Sequence, residues 1–373
     1  MTTRLPLLDE PPNLTTESHQ YIPDLLSLTF DQLSDLLTHL QISTHHAAAL
    51  FRGLHRHNLP LHDIPHLGRH ALTLADHTQA RPLSLKTHID APDGTIKLLF
   101  ALADGHLIES VLLPMRRERF TLCVSTQVGC AMRCTFCATG TMKLTRSLTA
   151  GEIVAQVYAA QAFVRNLEGD LEVRSRQLSH LVFMGMGEPL HCYESTRDAV
   201  RILIDQRGRS LAARKITVST VGLVPAIHRF YNDFQGKVPL ALSLHAGTDQ
   251  VRNQIIPLSK KWSLADLKEA LLAHPLPRKS VIMLEYVVLP GVNDTETELD
   301  GVANFYRGLR AIVNLIPFNP FPRSRFRSPT PEEVQRVDRE LKRRGVPCSM
   351  RVIRGRERAG ACGQLAIRGF DLS

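Results

Sequence analysis

Three thiols crowd one short stretch, V-G-C-A-M-R-C-T-F-C-A-T-G, in the spacing C-x3-C-x2-C. Cys130, Cys134 and Cys137 can ligate three irons of a [4Fe–4S] cube and leave the fourth iron without a protein ligand. Thiolate is the usual ligand for such clusters, because soft sulfur suits iron and sulfide. A free iron corner is a place where a small molecule can bind and receive one electron. A structural zinc site is the plainer alternative. Zinc wants four closed ligands, commonly in paired C-x2-C units, and no second pair lies nearby.

Further along, several polar clusters stand where apolar runs end. Leu181-Val-Phe-Met runs straight into Gly185, Gly187, Glu188 and Pro189. Glycines there let backbone approach a ligand closely, and a carboxylate can accept from an ammonium or a ribose hydroxyl. Another run ends in Ser219-Thr220-Val-Gly222, and a third places Ser243 and His245 two residues apart, hence on one face of a strand. A fourth ends at Asn314-Leu-Ile-Pro-Phe-Asn319-Pro-Phe. Each alone reads as an ordinary polar loop; four of them alongside the cysteines point to a shared ligand site.

The elements that must position these residues begin near 120. Candidate strands are Thr121–Ser125, Leu181–Met184, Ile216–Thr220, Leu240–Leu244, Val281–Val288 and Ala311–Ile316. They are short β-branched or apolar runs, as buried parallel strands should be. Thr149-Ala-Gly-Glu152 is a capping box, and Ile153, Val157, Ala160 and Val164 follow on one helical face. Six βα repeats predict an α/β fold, a parallel sheet curled into a partial (βα)6 barrel. Chemistry in such folds sits at the C-terminal strand ends. Ahead of it, leucines at helical spacing predict a helix from Thr29 to Leu40, and His45 to Arg56 reads as a second. Residues 83–113 predict strands joined at Asp93-Gly94 and Asp104-Gly105, a small antiparallel sheet. The histidines of this region (His39, His45, His46, His55, His57, His62, His66) fall on several faces without a ligand pair, so they read as solvated surface.

Composition bounds the class. A chain of 373 residues, 43% hydrophobic, can bury a large core. No run of about 18 apolar residues exists, which excludes a helical membrane span. The N-terminus lacks the basic-then-apolar pattern of a secretory signal. Seven cysteines, three of them within eight positions, fit metal or redox use in a reducing compartment, so a cytoplasmic location is expected. A net charge of +9 suits a polyanionic partner.

Taken in order, L-C-V-S-T-Q-V-G-C-A-M-R-C-T-F-C-A-T-G, G-M-G-E-P, S-L-H-A, N-P-F and A-C-G-Q-L resemble the RlmN/Cfr family of radical S-adenosylmethionine (SAM) RNA methyltransferases over roughly residues 25–368. Within that family the chain is most like the RlmN branch. The resemblance implies a radical SAM barrel with a small helical and β-hairpin accessory domain. It divides the chain into a loose lead (1–23), an RNA-contacting accessory domain (24–113), the barrel (114–353) and a C-terminal tail (354–373). It implies that Cys130, Cys134 and Cys137 hold the [4Fe–4S] cluster, and that Gly187, Glu188, Ser219, Ser243, Leu244, His245 and Asn319 contact SAM. It makes Cys362 the residue that takes a methyl group from one SAM. A second SAM, reduced by the cluster, yields a 5′-deoxyadenosyl radical that removes hydrogen from that methylthioether. The carbon radical adds to the adenine ring, and Cys123 then attacks the Cys362 sulfur to release the product with a disulfide. Glu109 matches the family's proton acceptor; the bland reading is a solvent-facing strand residue. The detour is chemically motivated, because adenine ring carbons C2 and C8 carry no lone pair with which to attack a methyl sulfonium, and the cofactor carries that difficulty.

The implied partners are 23S ribosomal RNA, transfer RNA and an electron donor such as flavodoxin, with two SAM consumed per turnover, no membrane and a monomeric state. C2 methylation is the leading reading; a Cfr-like C8 methylase uses the same residues, and a zinc-stapled RNA-binding protein is the non-catalytic alternative. Arg116, Arg117, Arg119, Arg323, Arg325, Arg327 and the stretch from Arg351 through Arg358 flank these motifs, where RNA phosphates would lie. Cys192 and Cys348 read as packing thiols. Two departures from the family's commoner pattern stand out: Thr141-Met-Lys-Leu-Thr-Arg after the cysteines, and the basic Arg354-Gly-Arg-Glu-Arg358 where an acidic stretch is usual.

Overall fold

The computed structural model describes residues 22–116, 119–167, 177–322, 324–350 and 363–367. Three helices lead the chain: α1 (Phe30–His39), α2 (Ala47–Arg52) and α3 (His70–His77). Thr29 caps α1 through a reciprocal pair, its hydroxyl accepting from the Gln32 amide and Gln32 Oε1 accepting from the Thr29 amide at 2.8 Å. Leu33 and Leu37, one turn apart, form the buried stripe. The helix expected from His45 to Arg56 is in three pieces: a 3-10 turn at Thr44–His46, α2, and a π-turn over Gly53–His57 that closes at left-handed Asn58. His39, His45, His57, His62 and His66 are exposed as expected, but His55 is buried, with Nδ1 2.9 Å from the Tyr158 hydroxyl.

Next come four antiparallel strands, β1 (Ser84–Asp90), β2 (Ile96–Ala101), β3 (Leu107–Met115) and β4 (Arg119–Cys123). Gly94 and Gly105 make the first two turns with φ of 77° and 84°, a backbone region that favours glycine. A two-stranded ribbon, β5 (Gln127–Val128) with β6 (Arg146–Ser147), brackets the cysteine loop. The parallel run then continues through β7 (Gln177–Phe183), β8 (Ile216–Thr220), β9 (Leu240–Ser243), β10 (Ile282–Val288) and β11 (Ala311–Pro317). It ends in β12 (Cys348–Met350), too short to be visible in the sequence. Sheet order is β1-β2-β3-β4-β7-β8-β9-β10-β11-β12, so the expected antiparallel sheet is not separate. It is the leading edge of one ten-stranded sheet, joined at the β3–β4 pair.

Helices alternate with the parallel strands: α4 (Ala150–Arg165), α5 (Tyr193–Ile204), α6 (Val224–Phe234), α7 (Asp249–Ile255), α8 (Leu264–Leu272), α9 (Glu296–Tyr306) and α10 (Pro331–Arg343). This is the expected α/β partial barrel. The capping box at α4 forms as read, with Thr149 Oγ1 accepting from the Glu152 amide at 3.1 Å. Leu181, Phe183, Val218, Leu242, Leu284 and Val313 fill the core between sheet and helices. Each such burial is worth roughly 1.5–3 kcal/mol. Among the described residues no helix is long and apolar enough to cross a membrane.

Candidate active site

Beyond the C-terminal strand ends lies a cavity of about 150 Å³. The cysteine loop closes one side. Thr135 anchors that loop to α7 by donating its amide to Ile255 O at 2.9 Å, and the Cys137 amide donates to Cys134 O at 3.1 Å. Cys130, Cys134 and Cys137 all line the cavity, the first two buried and the third half-buried. Burial pushes the Cys130 thiol up to about 12, with the charges of Cys137 and Glu188 adding to it. Burial likewise holds Cys134 well above the ordinary thiol range. Two thiolates this far from water, with the half-buried third beside them, need a cation nearby, which bound iron would supply. Three thiols on one short loop are the donor type that an iron–sulfur cluster takes.

The turn after β7 forms the floor. The Gly185 amide donates to Val124 O at 3.0 Å, and the Met186 amide to Ser125 Oγ at 2.8 Å. Gly187 adopts φ of 102°, and a Cβ there would lie 2.6 Å from Gln127 Cβ. That close approach lets Gln127 Oε1 accept from the Glu188 amide at 3.0 Å. Glu188 is buried, with Oε1 accepting from the Leu190 amide at 3.1 Å and Oε2 from the Val221 amide at 3.0 Å. Burial raises its pKa to about 7, against the lowering effect of the Val221 amide, the Thr220 hydroxyl and the Leu190 amide. A carboxylate so placed gains from a cationic ligand, such as the ammonium of an amino acid moiety.

The other strand ends converge on the same cavity. Ser219 lines it from the end of β8, and Ser243 from the end of β9. His245 lines it too, held in the left-handed region at φ 58°. Its Nδ1 accepts from the Val287 amide at 3.0 Å, and burial, with Arg252 nearby, lowers its pKa to about 3, so the ring is neutral. Phe136 of the cysteine loop meets that ring edge-on at 4.6 Å. Asn319 is buried at the wall, and its Oδ1 has no hydrogen-bond partner among the described residues. An orphaned acceptor of this kind fits a ligand that brings a donor. The Leu244 side chain is fully buried in the hydrophobic core, while its neighbours Ser243 and His245 line the cavity.

Cys362 lies outside the described residues, but the five residues after it are described. Gly363 lines the cavity, and its carbonyl accepts from the Ala138 amide at 2.6 Å. Leu365 O accepts from the Thr139 hydroxyl at 2.5 Å, and Gln364 Nε2 donates to Pro320 O at 3.0 Å. Leu365 also packs in a small apolar cluster with Val111, Cys123 and Met186. Glu109 is fully buried on β3, so it is not a solvent-facing strand residue. Its carboxyl is pushed up by burial and pulled down by Lys97, 3.0 Å away, and by the backbone amides of Ala366 and Ile367.

Several residues of the site escaped the sequence reading. Glu285 of β10 lines the cavity, and Asn314 of β11, its register partner, donates to its carboxylate at 2.8 Å. A glutamate inside the apolar run I-M-L-E-Y-V-V was the available signal. Arg252 is buried behind His245, donating to the carbonyls of Val221 at 2.6 Å, Ser243 at 3.1 Å and Leu244 at 3.1 Å. Of the arginines read as phosphate contacts, Arg327 is paired with Glu333, and Arg325 donates to Gln254 O at 3.3 Å. Arg117, Arg323 and the Arg351–Arg358 stretch lie outside the described residues. Cys192 is a buried thiol near the carbonyls of Thr126 and Glu188, and Cys348 is half-buried.

Known proteins resemble this chain along most of its length. The radical SAM superfamily model matches residues 124–300. The dual-specificity RNA methyltransferase RlmN of Anaeromyxobacter dehalogenans is 42% identical over 356 residues, 94% of each chain. RlmN 2 of Myxococcus xanthus is 42% identical over 351 residues, covering 93% of this chain and 91% of that one. The crystal structure of a radical SAM methyltransferase from Sphaerobacter thermophilus superposes with a TM-score of 0.83 at 40% identity, over 93% of this chain and 100% of that one.

Proposed function

The chain belongs to the RlmN/Cfr family of radical SAM RNA methyltransferases, and on that premise we propose that it methylates C2 of an adenine in 23S ribosomal RNA, and in transfer RNA, through a methyl group carried on Cys362. As a radical SAM RNA methyltransferase it uses SAM and a [4Fe–4S] cluster. When bound, the cluster supplies one electron, while one SAM supplies the methyl group and a second the hydrogen-abstracting radical. Cys130, Cys134 and Cys137 hold the cluster. Gly187, Glu188, Ser219, Ser243, Leu244, His245 and Asn319 would contact SAM, Leu244 through its backbone, and the Glu188 carboxylate could accept from the ammonium of SAM.

The observation that supports this reading best is the path of the tail. Gly363 borders the cysteine-lined cavity, and Leu365 shares a small apolar cluster with Cys123, Val111 and Met186. Cys362 immediately precedes Gly363 in the sequence, which supports a role for its thiol at this cavity. The Cys362 sulfur takes the methyl group, Glu109 accepts the ring proton on a carboxylate oxygen, and Cys123 attacks the Cys362 sulfur to free the product. The sheet-edge region of residues 24–113 contacts RNA beside the barrel of 114–353, with Arg116 and Arg325 among the phosphate contacts, and a flavodoxin-like donor supplies electrons to a monomeric enzyme.

Anaerobically purified protein, incubated with SAM, reductant and ribosomal RNA fragments, tests the reading by mass spectrometry. A new 2-methyladenosine that is absent with Cys362→Ala is the expected result. An 8-methyl product would assign the other ring carbon. No methylated adenine despite an intact cluster and SAM cleavage would refute the reading.

A further inference from the structure

Strand register decides which residues share the face of the sheet that the tail covers. On β2 and β3, Lys97 pairs with Val111 and Leu99 with Glu109, and Val111 pairs in turn with Cys123 on β4. Side chains alternate along a strand, so Lys97, Glu109, Val111 and Cys123 all project to one face. Leu98, Leu112 and Leu122 project to the other, into the main core. Leu365 and Ile367 pack on the first face, against Val111 and Cys123.

Within that dry layer sit two opposite charges. Lys97 Nζ lies 3.0 Å from Glu109 Oε1, and the side chains are 1% and 0% exposed. Among the described residues no other ion pair has both partners so far from water. A lone carboxylate there would take up a proton, because burial penalises the charged form. A protonated carboxyl cannot accept the proton of an adenine ring. The groups facing Glu109 are Lys97 from β2, Cys123 across Val111 on β4, and the backbone amides of Ala366 and Ile367 from the tail. Behind it, Ser125 Oγ donates to the Glu109 carbonyl at 2.6 Å, and Gln156 of α4 grips Ser125 and Ser110.

We propose that Lys97 is a positioning residue for proton transfer: its ammonium holds Glu109 as an ionised acceptor, turned toward the tail that carries Cys362. The inference rests on the reading of Glu109 as the proton acceptor. Lys97 does not touch substrate; it acts through the carboxylate. A purely structural lysine would instead tie β2 to β3 without governing when Glu109 can accept.

The test compares Lys97→Met, Lys97→Arg and Glu109→Gln in the full chain with its cluster. RNA methylation is followed by mass spectrometry between pH 6 and 9, and tail amide exchange without SAM or RNA. Without the ammonium the Glu109 pKa rises, so Lys97→Met should lose about ten- to a thousand-fold in rate at pH 7 and regain it as pH increases. Amides of residues 366 and 367 should exchange faster than in the wild type at pH 7, with the difference shrinking at higher pH. Lys97→Arg should keep the wild-type pH profile whatever its rate. A Lys97→Met loss that is the same at every pH overturns the proposal. So does a shifted profile in Lys97→Arg, which decides the matter even if the methionine variant does not fold. Full activity in Glu109→Gln would overturn the Glu109 reading itself.

Discussion

Acidification should loosen the seam between the leading helices and the barrel, and His55 gives the amount. Its ring is buried between Phe51, at a centroid distance of 4.3 Å, and Tyr158 of α4. Nε2 has no hydrogen-bond partner among the described residues, so a proton added there would be a buried, unanswered charge. Burial lowers the pKa from 6.5 to about 3, and the negative charge of Asp205 offsets only part of that. The folded protein resists the proton and the unfolded chain accepts it, so stability falls as pH drops from 6.5 toward 3. At pH 5 the unfolded histidine is about 1.5 pH units below its midpoint, which costs the native state about 2 kcal/mol. That is a large part of a typical stability of about 5–15 kcal/mol. Urea denaturation at pH 7 and pH 5, on the wild type and on His55→Gln, isolates the effect, since glutamine can still hydrogen-bond Tyr158 but cannot titrate. The wild type should lose about 2 kcal/mol more than the variant between the two pH values. Equal losses would show that His55 is not the group being protonated.

Three other perturbations bear on the site. Cys134→Ser should abolish cluster retention, read as iron content and visible colour after anaerobic reconstitution, while circular dichroism stays native. Gly187→Ala puts a Cβ 2.6 Å from Gln127 Cβ at φ 102°, a strain of about 1–3 kcal/mol. SAM affinity by calorimetry should fall about five- to a hundred-fold with iron unchanged; undiminished affinity would mean the turn adapts. Arg252→Met leaves the carbonyls of Val221, Ser243 and Leu244 without their donor. It should cost about 3 kcal/mol or more in chemical denaturation.

Local chemistry made much of this legible. Ile216–Thr220 reads I-T-V-S-T and is a strand between the same two residues, because β-branched buried runs are a strong local signal. The cysteine spacing and the α4 capping box needed only neighbours in sequence. What stayed hidden was set by pairing across distance. Nothing near Val111 announces that it will sit beside Cys123, so the β3–β4 join was invisible and the hairpins looked like a separate sheet. Lys97, inside I-K-L-L-F-A, and Glu285, inside an apolar strand, are polar residues whose purpose appears only once their partners on other strands are known. Leu244 shows the converse: a motif brings three adjacent residues together just past the end of β9, but packing takes the middle side chain into the core.

The β3–β4 join also sets how far this enzyme can be trimmed. A barrel cut loose at residue 114 would strip β4 of its antiparallel neighbour and leave a row of unanswered backbone donors and acceptors along Arg119–Cys123. Such an edge invites other chains to pair with it, and Glu109 would leave with the missing strand. The leading hairpins are thus less an attachment than the hem of the sheet. Grafting this chemistry onto a smaller scaffold, or swapping the leading segment between relatives, would have to carry β2 and β3 along in register.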